Sequence, residues 1–487
     1  MSKVLEKARK YEIEVSKQIP EGQKPSFHVC APVGWINDPN GFSLYQGEYH
    51  LFYQYDPYHV TQGLMHWGHS KSKDFIKWEQ LPCALAPDSS YDGQGCFSGS
   101  AVEHDGKHIL MYTGVLDKEQ EDGSRLLRQT QCIAIGDGVN YEKLDSNPVI
   151  TSDLLPEGSS REDFRDPKIW IEGEDFYAII GSRSDNTGGQ IVLFKSKDAK
   201  NWEYLGIVDE SRNEYGKMWE CPDFIYIDGK LVLLISPTDM LAEGLEFHNG
   251  NNTIYILGDY DLENHKLIRE RVTAIDYGLD FYAPQTLETA DCRRIMIAWM
   301  QSWDNHITPK HFKWSGLMTV PRELCVKNGI LYQNPVRELE NYYQDKVEYE
   351  AVTVNGEKEF IGIQGRQFDM TVEVETGDYK EFAVRLAADD KCYSVLHYNA
   401  KENTVTFDRT CSGLSKDIIH KRSMYVKEQG GKIKLRILMD KYSVEVFVND
   451  GEQAMTSLIY TSMEADQIRF LSKGEVKCNI VKYDVVI

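Results

Sequence analysis

The chain has 487 residues, of which 41% are hydrophobic and 27% are charged, so it is long enough for two globular domains of ordinary composition. Its formal net charge of −22 argues against nucleic acid or an anionic membrane surface as a partner. No run reaches the roughly 18 to 20 apolar residues of a membrane span. The charged N-terminal segment is unlike a signal peptide, and we expect a cytoplasmic protein.

The ten cysteines are scattered along the chain without a Cys-x-x-Cys pair. Such scatter is typical of buried free thiols rather than of a disulfide framework or a zinc site. The sequence also lacks Walker, Gly-x-Gly-x-x-Gly and His-Glu-x-x-His patterns. It therefore indicates no metal ion and no organic cofactor.

An amphipathic pattern over residues 3–18 predicts a short helix inside an N-terminal extension of residues 1–26. Shortly afterwards comes Gly34-Trp35-Ile36-Asn37-Asp38-Pro39-Asn40-Gly41. Its proline, asparagines and glycines favour a turn, which would hold Asp38 beside the strand expected at 50–55. Taken alone, the pattern is typical of an ordinary turn.

Five apolar segments recur at a nearly constant spacing beyond this turn. Their centres are separated by 59, 67, 55 and 64 residues and lie at Phe52, Met111, Ala178, Leu233 and Ile297. A period near sixty is typical of a β-propeller with one four-stranded blade per repeat. A second repeat, Ser-Lys-Asp-x-x-x-Trp-Glu-x-Leu at 72–81 and 196–205, is interpreted as a structural turn with a packed Trp. We predict a five-bladed propeller over residues 27–335.

A polar cluster precedes each apolar segment by 12 to 15 residues. In chain order the clusters contain Asp38, Ser98, Asp166, Glu220 and Tyr282. Because equivalent positions of all blades face one axis, clusters on the innermost strands would converge at one end of the central channel. The sequence therefore predicts a single pocket built from distant segments.

The pattern changes after residue 335. Residues 336–350 predict a brief helix or linker, and 351–487 contain short alternating runs that predict a β-sandwich. We interpret Asp440 and Glu445 in this part as solvated strand positions. The predicted fold is thus all-β, a five-bladed β-propeller followed by a C-terminal β-sandwich.

Three of the clusters carry a carboxylate, on Asp38, Asp166 and Glu220. Two carboxylates that face each other across a sugar, one ionised and one protonated, are the minimum for glycoside hydrolysis. Glu220 is the better proton donor because its sequence neighbours are apolar, and desolvation favours a protonated carboxyl. Asp38 lies among amides, and Arg165 would favour ionised Asp166 if a local bend brings their side chains together.

With these clusters and several further motifs, the chain resembles glycoside hydrolase family 32, the β-fructofuranosidases that include invertases, sucrose-6-phosphate hydrolases and fructan hydrolases. The motifs cover nearly the whole chain in order and lie at 35–41, 52–55, 66–70, 81–88, 97–101, 165–167, 219–222, 321–324 and 443–452. The family's propeller and sandwich agree with the period found above.

The resemblance implies that Asp38 is the nucleophile, Glu220 the general acid/base and Asp166 the transition-state stabiliser. The candidate substrate-binding residues are Trp35, Asn37, Gln54, Gln62, Phe97, Ser98, Arg165, Tyr282 and Trp303. The chain departs from the family at Gln62, where a Trp often precedes the His-Trp-Gly-His motif. Trp303 and Tyr282 are the candidates to replace that aromatic wall.

We expect a retaining double displacement on the terminal fructose of sucrose or short fructo-oligosaccharides, with the Asp38 and Glu220 carboxyls about 5 to 5.5 Å apart. Sucrose 6-phosphate hydrolysis, fructosyl transfer and non-catalytic sugar binding are the alternatives, and the presence of all three carboxylates argues against non-catalytic binding.

A 6-phosphate group on the substrate would need basic residues at the rim of the pocket. Lys310, His311 and Lys313 either supply them or form an ordinary exposed loop. A small sugar is the predicted partner, and no oligomeric state is predicted.

Overall fold

The computed structural model describes residues 1–120, 122–414 and 416–487. Helix α1 (Lys3–Ser16) confirms the expected N-terminal helix. Its Arg9 and Glu12 hydrogen-bond the backbone carbonyl and N–H of Cys83. The helix therefore covers an otherwise unpaired edge of the first sheet. In the described residues no helix is both long enough and apolar enough to cross a membrane.

Five antiparallel sheets form the blades of a propeller, which confirms the predicted architecture. The first blade contains β1 (Gly34–Tyr45), β2 (Glu48–Asp56), β3 (His66–Ser72) and β4 (Trp78–Leu85), and the second contains β5 (Cys96–His104), β6 (Lys107–Glu119), β7 (Arg125–Gly136) and β8 (Tyr141–Lys143). The third blade contains β9 (Ser159–Glu172), β10 (Asp175–Ser184), β11 (Gly188–Ser196) and β12 (Trp202–Glu210). The fourth contains β13 (Trp219–Ile227), β14 (Lys230–Pro237), β15 (Ile254–Asp261) and β16 (Lys266–Ala274). A short 3-10 turn at Ser152–Leu154 precedes β9.

The fifth blade also closes the ring. After β17 (Tyr282–Glu288) and β18 (Arg294–Trp299), the short β19 (Trp314–Ser315) pairs in parallel with β1 of the first blade. Strands β20 (Arg322–Lys327) and β21 (Ile330–Pro335) then complete the fifth blade. Because β19 joins the end of the propeller to its beginning, the first sheet has no free inner edge.

The first strand of each blade is the innermost, and these five strands pack against one another around the axis. The five polar clusters lie on them, on β1, β5, β9, β13 and β17. The apolar segments that revealed the period are the second strands, which are largely buried. The fold thus brings the five clusters to the same axis.

The repeated Ser-Lys-Asp motif is a structural turn, as expected. The Asp74 carboxylate accepts two backbone N–H bonds, and Asp198 does the same in the third blade. In each copy the indole N–H of the Trp, Trp78 or Trp202, donates to the backbone carbonyl three residues earlier. Each turn connects the third and fourth strands of its blade, and both turns therefore lie away from the axis.

A ten-stranded sheet, folded into two layers, forms the predicted β-sandwich. After a 3-10 turn at Arg337–Tyr342 its strands are β22 (Tyr343–Lys358), β23 (Phe368–Glu375), β24 (Glu381–Ala388), β25 (Ser394–Asn399), β26 (Thr404–Asp408), β27 (Lys421–Tyr425), β28 (Lys432–Asp440), β29 (Ser443–Val448), β30 (Gln453–Leu458) and β31 (Gln467–Val485). The long β31 pairs with β24 through its first half and with β23 through its second half. Residues 343–350 of the expected linker belong to β22, and we propose 336–342 as the connection.

Asp440 and Glu445 are buried ion-pair partners, so their interpretation as solvated strand positions is wrong. Neither is accessible to solvent. His28 Nδ1 lies 2.9 Å from Asp440 Oδ2, and its Nε2 lies 2.9 Å from Glu445 Oε1. Glu445 also accepts a hydrogen bond from Arg322 Nε at 3.2 Å. Every residue of β29 is buried because the propeller covers the face that an isolated sandwich would expose.

The ten cysteines are free thiols. Five of them are buried, whereas Cys292 and Cys411 are exposed. The expectation of buried thiols therefore holds for only part of the set.

His28 predicts a pH dependence of stability. Burial by itself would lower its pKa, but the hydrogen bonds and charges of Asp440 and Glu445 outweigh burial and raise that pKa to about 9. Such a group stabilises the fold fully below its unfolded pKa of about 6.5, and this contribution is lost as pH rises through the folded value. The free energy of unfolding in urea should therefore fall between about pH 7 and 10.

His28→Gln should lower the free energy of unfolding at pH 7 and should remove the fall of that free energy as pH rises. His311→Gln, at an exposed position, is the matched control and should behave like the natural protein. An equal pH slope in the natural protein and His28→Gln would contradict a charged His28.

Candidate active site

A cavity of about 210 Å³ lies where the inner strands meet. The residues that line it are Asn37, Asp38, Gln54, Gln62, Phe97, Ser98, Arg165, Asp166, Glu220 and Trp303. Trp35 and Tyr282, the two other candidates, lie directly behind this lining. Trp35 Nε1 donates to Asn37 Oδ1 at 2.8 Å, and the Tyr282 hydroxyl donates to Glu220 Oε2 at 2.6 Å. The fold therefore gathers all twelve candidates in one place.

The inner strands carry β-bulges where their side chains turn toward the cavity. The pairing of the first strand with the second is interrupted in every blade. In three blades the bulge contains a residue with positive φ before a proline: Asp166 (67°), Cys221 (47°) and Ala283 (52°). Proline has no N–H for the ladder, so the interruption leaves no donor unpaired there. A bulge also re-aims its neighbouring side chains.

Asp38 is nearly buried and its carboxylate accepts three hydrogen bonds. The donors are the Ser98 hydroxyl at 2.6 Å, the Cys221 thiol at 3.5 Å and the Asn37 amide at 3.1 Å. Burial raises the pKa of Asp38, and the charge of Glu220 adds to this effect, whereas the three donors oppose it. The donors also fix the direction of the carboxylate.

Asp166 lies on the other side of the same thiol. Cys221 donates its N–H to Asp166 Oδ2 at 3.0 Å, and its thiol, whose one proton the two aspartates share, lies 3.6 Å from the same oxygen. Burial, together with the charges of Glu220 and Asp38, raises the pKa of Asp166 to about 7 against the opposing charge of Arg165. Burial thus prevails over the ionising effect that we expected from Arg165.

Cys221 is a site residue that sequence reasoning missed. It was interpreted only as an apolar neighbour of Glu220, yet its thiol contacts the carboxylates of Asp38 and Asp166. A single cysteine between Glu and Pro carries no spacing signal, so only the bulge geometry reveals this contact.

Glu220 has polar surroundings, and the expectation of an apolar environment is wrong. Arg165 donates to Glu220 Oε1 from Nε at 3.1 Å and from Nη2 at 2.7 Å, and Tyr282 donates to the other oxygen. The apolar sequence neighbours of Glu220 do not decide its environment, because adjacent strand residues face opposite sides. Its partners come instead from the blades on either side.

Arg165 is itself held in place. Its Nη1 donates to Asp163 Oδ1 at 2.9 Å and to Gln129 Oε1 at 3.1 Å. The guanidinium is therefore fixed between Asp163 and Glu220, where it orients the Glu220 carboxylate.

The mouth of the cavity lies between Gln62 and Trp303. Trp303 is 37% exposed and stacks on Trp35 with ring centroids 6.3 Å apart. His306, which sequence reasoning also missed, stacks on Trp35 at 5.6 Å. Trp303 thus adds aromatic surface to the lining that contains Gln62, whereas Tyr282 lies behind Glu220.

The basic residues considered for the rim do not line the cavity. Lys313 Nζ donates to Gln18 in the N-terminal segment. Among the described residues no group of His, Cys, Asp and Glu side chains is arranged to hold a metal ion.

Comparison with known proteins gives consistent matches along the chain. A model of the glycosyl hydrolases family 32 N-terminal domain matches residues 28–335, and a model of the family 32 C-terminal domain matches 338–486. A raffinose invertase of Escherichia coli is 34% identical over 454 residues, which are 91% of each chain. A sucrose-6-phosphate hydrolase of Zymomonas mobilis is 35% identical over 443 residues, 88% of this chain and 84% of that protein.

Two solved structures share the whole architecture. A Bombyx mori family 32 β-fructofuranosidase, in a mutant form with bound sucrose, has a TM-score of 0.84 and 29% identity, covering 99% of this chain and 97% of that one. The sucrose-6-phosphate hydrolase from Lactobacillus gasseri has a TM-score of 0.84 and 27% identity, covering 98% and 96%.

Because Asp38 and Asp166 are buried close together, the charge of one carboxylate should raise the pKa of the other. Asp38→Asn removes one of the negative charges that raise the pKa of Asp166, so this pKa should fall below about 7. The measurement is the carboxyl ¹³C shift of Asp166 in the unliganded protein between about pH 4 and 9. Asp185→Asn, in an exposed turn of the third blade, should leave it unchanged. An unaltered Asp166 titration in Asp38→Asn would rule out the linkage.

Proposed function

The chain belongs to glycosyl hydrolase family 32 and is a glycoside hydrolase, and on that premise we propose a retaining β-fructofuranosidase that uses Asp38, Glu220 and Asp166. Its substrates are the terminal non-reducing β-D-fructofuranosides of sucrose and short fructo-oligosaccharides. The observation that carries this proposal is the set of three carboxylates around one cavity, each with different partners. The Bombyx mori β-fructofuranosidase with bound sucrose supports sucrose as the substrate.

In the first step Asp38 attacks the anomeric carbon of the fructosyl unit while Glu220 gives its proton to the departing oxygen. The bond to the leaving sugar breaks as the ester to Asp38 forms, so charge is balanced. The three donors to Asp38 hold its carboxylate in one direction, which reduces the ordering needed in the transition state. Arg165 and Tyr282 orient Glu220 for proton transfer.

In the second step Glu220 takes a proton from water, and the water oxygen attacks the anomeric carbon as its bond to the Asp38 oxygen breaks. Fructose leaves with its anomeric configuration retained, and Asp38 is regenerated as a carboxylate. Asp166 binds sugar hydroxyls and stabilises the oxocarbenium-like charge. That positive charge favours the ionised form of a buried carboxyl whose pKa is about 7.

The size of the cavity supports action at a chain end. At about 210 Å³ it is smaller than the roughly 300 to 1,000 Å³ of typical small-molecule pockets. Such a space holds one sugar unit, with the leaving group at the mouth beside Trp303.

Fructosyl transfer uses the same residues with a sugar hydroxyl in place of water, and product analysis at high sucrose distinguishes transfer from hydrolysis. The cytoplasmic location stays a prediction, which cell fractionation would test.

Asp38→Asn should lower kcat on sucrose by roughly four orders of magnitude or more, because the amide cannot form the ester intermediate. Glucose release measures activity, and the unfolding midpoint should stay near that of the natural protein. Asp185→Asn makes the same chemical change at an exposed turn and should retain full activity. Normal turnover by Asp38→Asn would disprove the assignment of the nucleophile.

The proposed double displacement also fixes the stereochemistry. The first fructose released should be the β-anomer, observed by NMR before mutarotation. In a crystal structure with bound ligand the Asp38 and Glu220 carboxyls should lie about 5 to 5.5 Å apart. Initial release of the α-anomer, with a separation of roughly 6.5 Å or more, would establish inversion instead.

A further inference from the structure

A second cavity, of about 380 Å³, lies between the fourth blade and the sandwich. Its sandwich side consists of β27, which is the edge strand of the ten-stranded sheet, and of the residue Ile419 just before it. Its propeller side consists of the loop between β14 and β15 and of residues at and after the end of β16. The volume falls within the roughly 300 to 1,000 Å³ of typical small-molecule sites. Among the residues that the structure describes, this cavity and the active-site cavity share no lining residue.

Arg422 of β27 lines this cavity without a partner for its charge in the described part of the chain. Its Nε atom is buried and makes no hydrogen bond there. Over residues 1–120, 122–414 and 416–487, no carboxylate oxygen lies within 4.0 Å of its guanidinium. Burial lowers the pKa of Arg422 to about 10, so the side chain stays cationic at neutral pH. Holding a cation out of water without an acceptor is costly, because nothing replaces the hydration that burial removes.

Other buried arginines near the domain interface have partners. Arg322 lies 3.0 Å from Asp276, and Arg366 donates hydrogen bonds to four backbone carbonyl groups. The fold thus satisfies these guanidinium groups internally. Arg422 differs from both, and its unsatisfied donors lie at a cavity large enough for a ligand.

Two acidic residues line the same cavity, but both are engaged elsewhere. Glu246 accepts a hydrogen bond from the Tyr277 hydroxyl at 3.0 Å. Asp276 is the partner of Arg322. Lys421 also lines the cavity, and over the same three described ranges it has no carboxylate oxygen within 4.0 Å. The cavity therefore offers two unpaired cations to a ligand.

Much of the remaining lining is apolar. Leu245 and Phe247 come from the propeller loop, and Ile419 comes from the sandwich. These side chains provide a surface for the hydrocarbon part of a ligand. The combination of unpaired cations and apolar walls favours a molecule that has both an anionic group and an apolar body.

We propose that this cavity binds a small organic anion, whose carboxylate or phosphate group pairs with Arg422 and whose apolar part lies against Phe247 and Ile419. The planar guanidinium presents two parallel donors that match two oxygens of either anionic group. Because residues of both domains line the cavity, the bound anion joins the propeller to the sandwich and stabilises the folded protein. The site lies apart from Asp38 and Glu220, and its existence does not depend on the proposed function.

The first experiment measures the binding of four probes to the full-length protein. Phenyl phosphate and benzoate each carry an apolar ring and one of the two anionic groups, inorganic phosphate lacks the ring, and benzyl alcohol lacks the charge. Isothermal titration calorimetry gives the Kd of each probe, and thermal unfolding gives the midpoint at increasing probe concentration. We expect phenyl phosphate or benzoate to bind most tightly and to raise the midpoint, and the tighter of the two identifies the preferred anionic group.

The second experiment removes the charge of Arg422. Arg422→Met should weaken the binding of the preferred anion by about tenfold or more. Its midpoint without a probe should equal or exceed that of the natural protein, because a buried unpaired charge is gone. Arg212→Met makes the same change at an exposed position between β12 and β13 and should keep the natural Kd.

A third variant tests the site without removing the arginine. Ile419→Asp places a carboxylate in the lining of the cavity, where it can pair with Arg422 and exclude the anion. Ile419 is 44% exposed, so the fold should tolerate this change. Ile419→Asn is the uncharged control. The aspartate variant should bind the preferred anion at least about tenfold more weakly than the asparagine variant.

Failure of the natural protein to bind either phenyl phosphate or benzoate would overturn the inference. Equal Kd values for the natural protein and Arg422→Met would also overturn it, because the anion would then bind elsewhere. Equal affinity of the Ile419→Asp and Ile419→Asn variants has the same meaning and decides the matter if Arg422→Met does not fold. Binding of benzyl alcohol as tight as that of both anions would show that the site does not recognise charge, which contradicts the role of Arg422.

Discussion

The architecture of the site depends on breaking the β-ladder at one end of the five inner strands. A regular strand would direct adjacent side chains to opposite faces and could not bring both Arg165 and Asp166 into one cavity. The bulges remove this restriction, and at Asp166 and Cys221 the backbone enters the left-handed region. Such a conformation costs about 1 to 2 kcal/mol for a residue with a side chain. The buried pairing of the remaining strand offsets this cost.

The same convergence creates an electrostatic problem, because three carboxylates share a small space with one guanidinium. Arg165 contacts Glu220 closely, and the two aspartates are served mainly by neutral donors such as Ser98 and Cys221. Burial and then the charges of the neighbouring carboxylates raise the pKa values of Asp38 and Asp166. A site that is short of positive charge is suited to a substrate that becomes cationic at its transition state.

Sequence reasoning succeeded where structure repeats. The buried second strands recur every sixty residues or so and revealed the blades, and the phase of the polar clusters located Asp38, Asp166 and Glu220. It failed where a contact crosses between blades or domains, because such contacts have no fixed spacing. Neither the Arg165 and Tyr282 contacts of Glu220 nor the Asp38–Cys221–Asp166 contact follows from adjacent residues.

The contacts between the sandwich and the propeller show the same limit of sequence reasoning. Strand alternation predicts a solvent face for β29, yet Glu445 on it is buried against His28 and Arg322 of the propeller. Removing one partner of a buried ion pair typically costs about 3 to 5 kcal/mol, and the hydrogen bonds are directional. An apolar interface alone would permit small rotations of the two domains. The charged cluster fixes one orientation, and in that orientation Lys416 meets the backbone of His306.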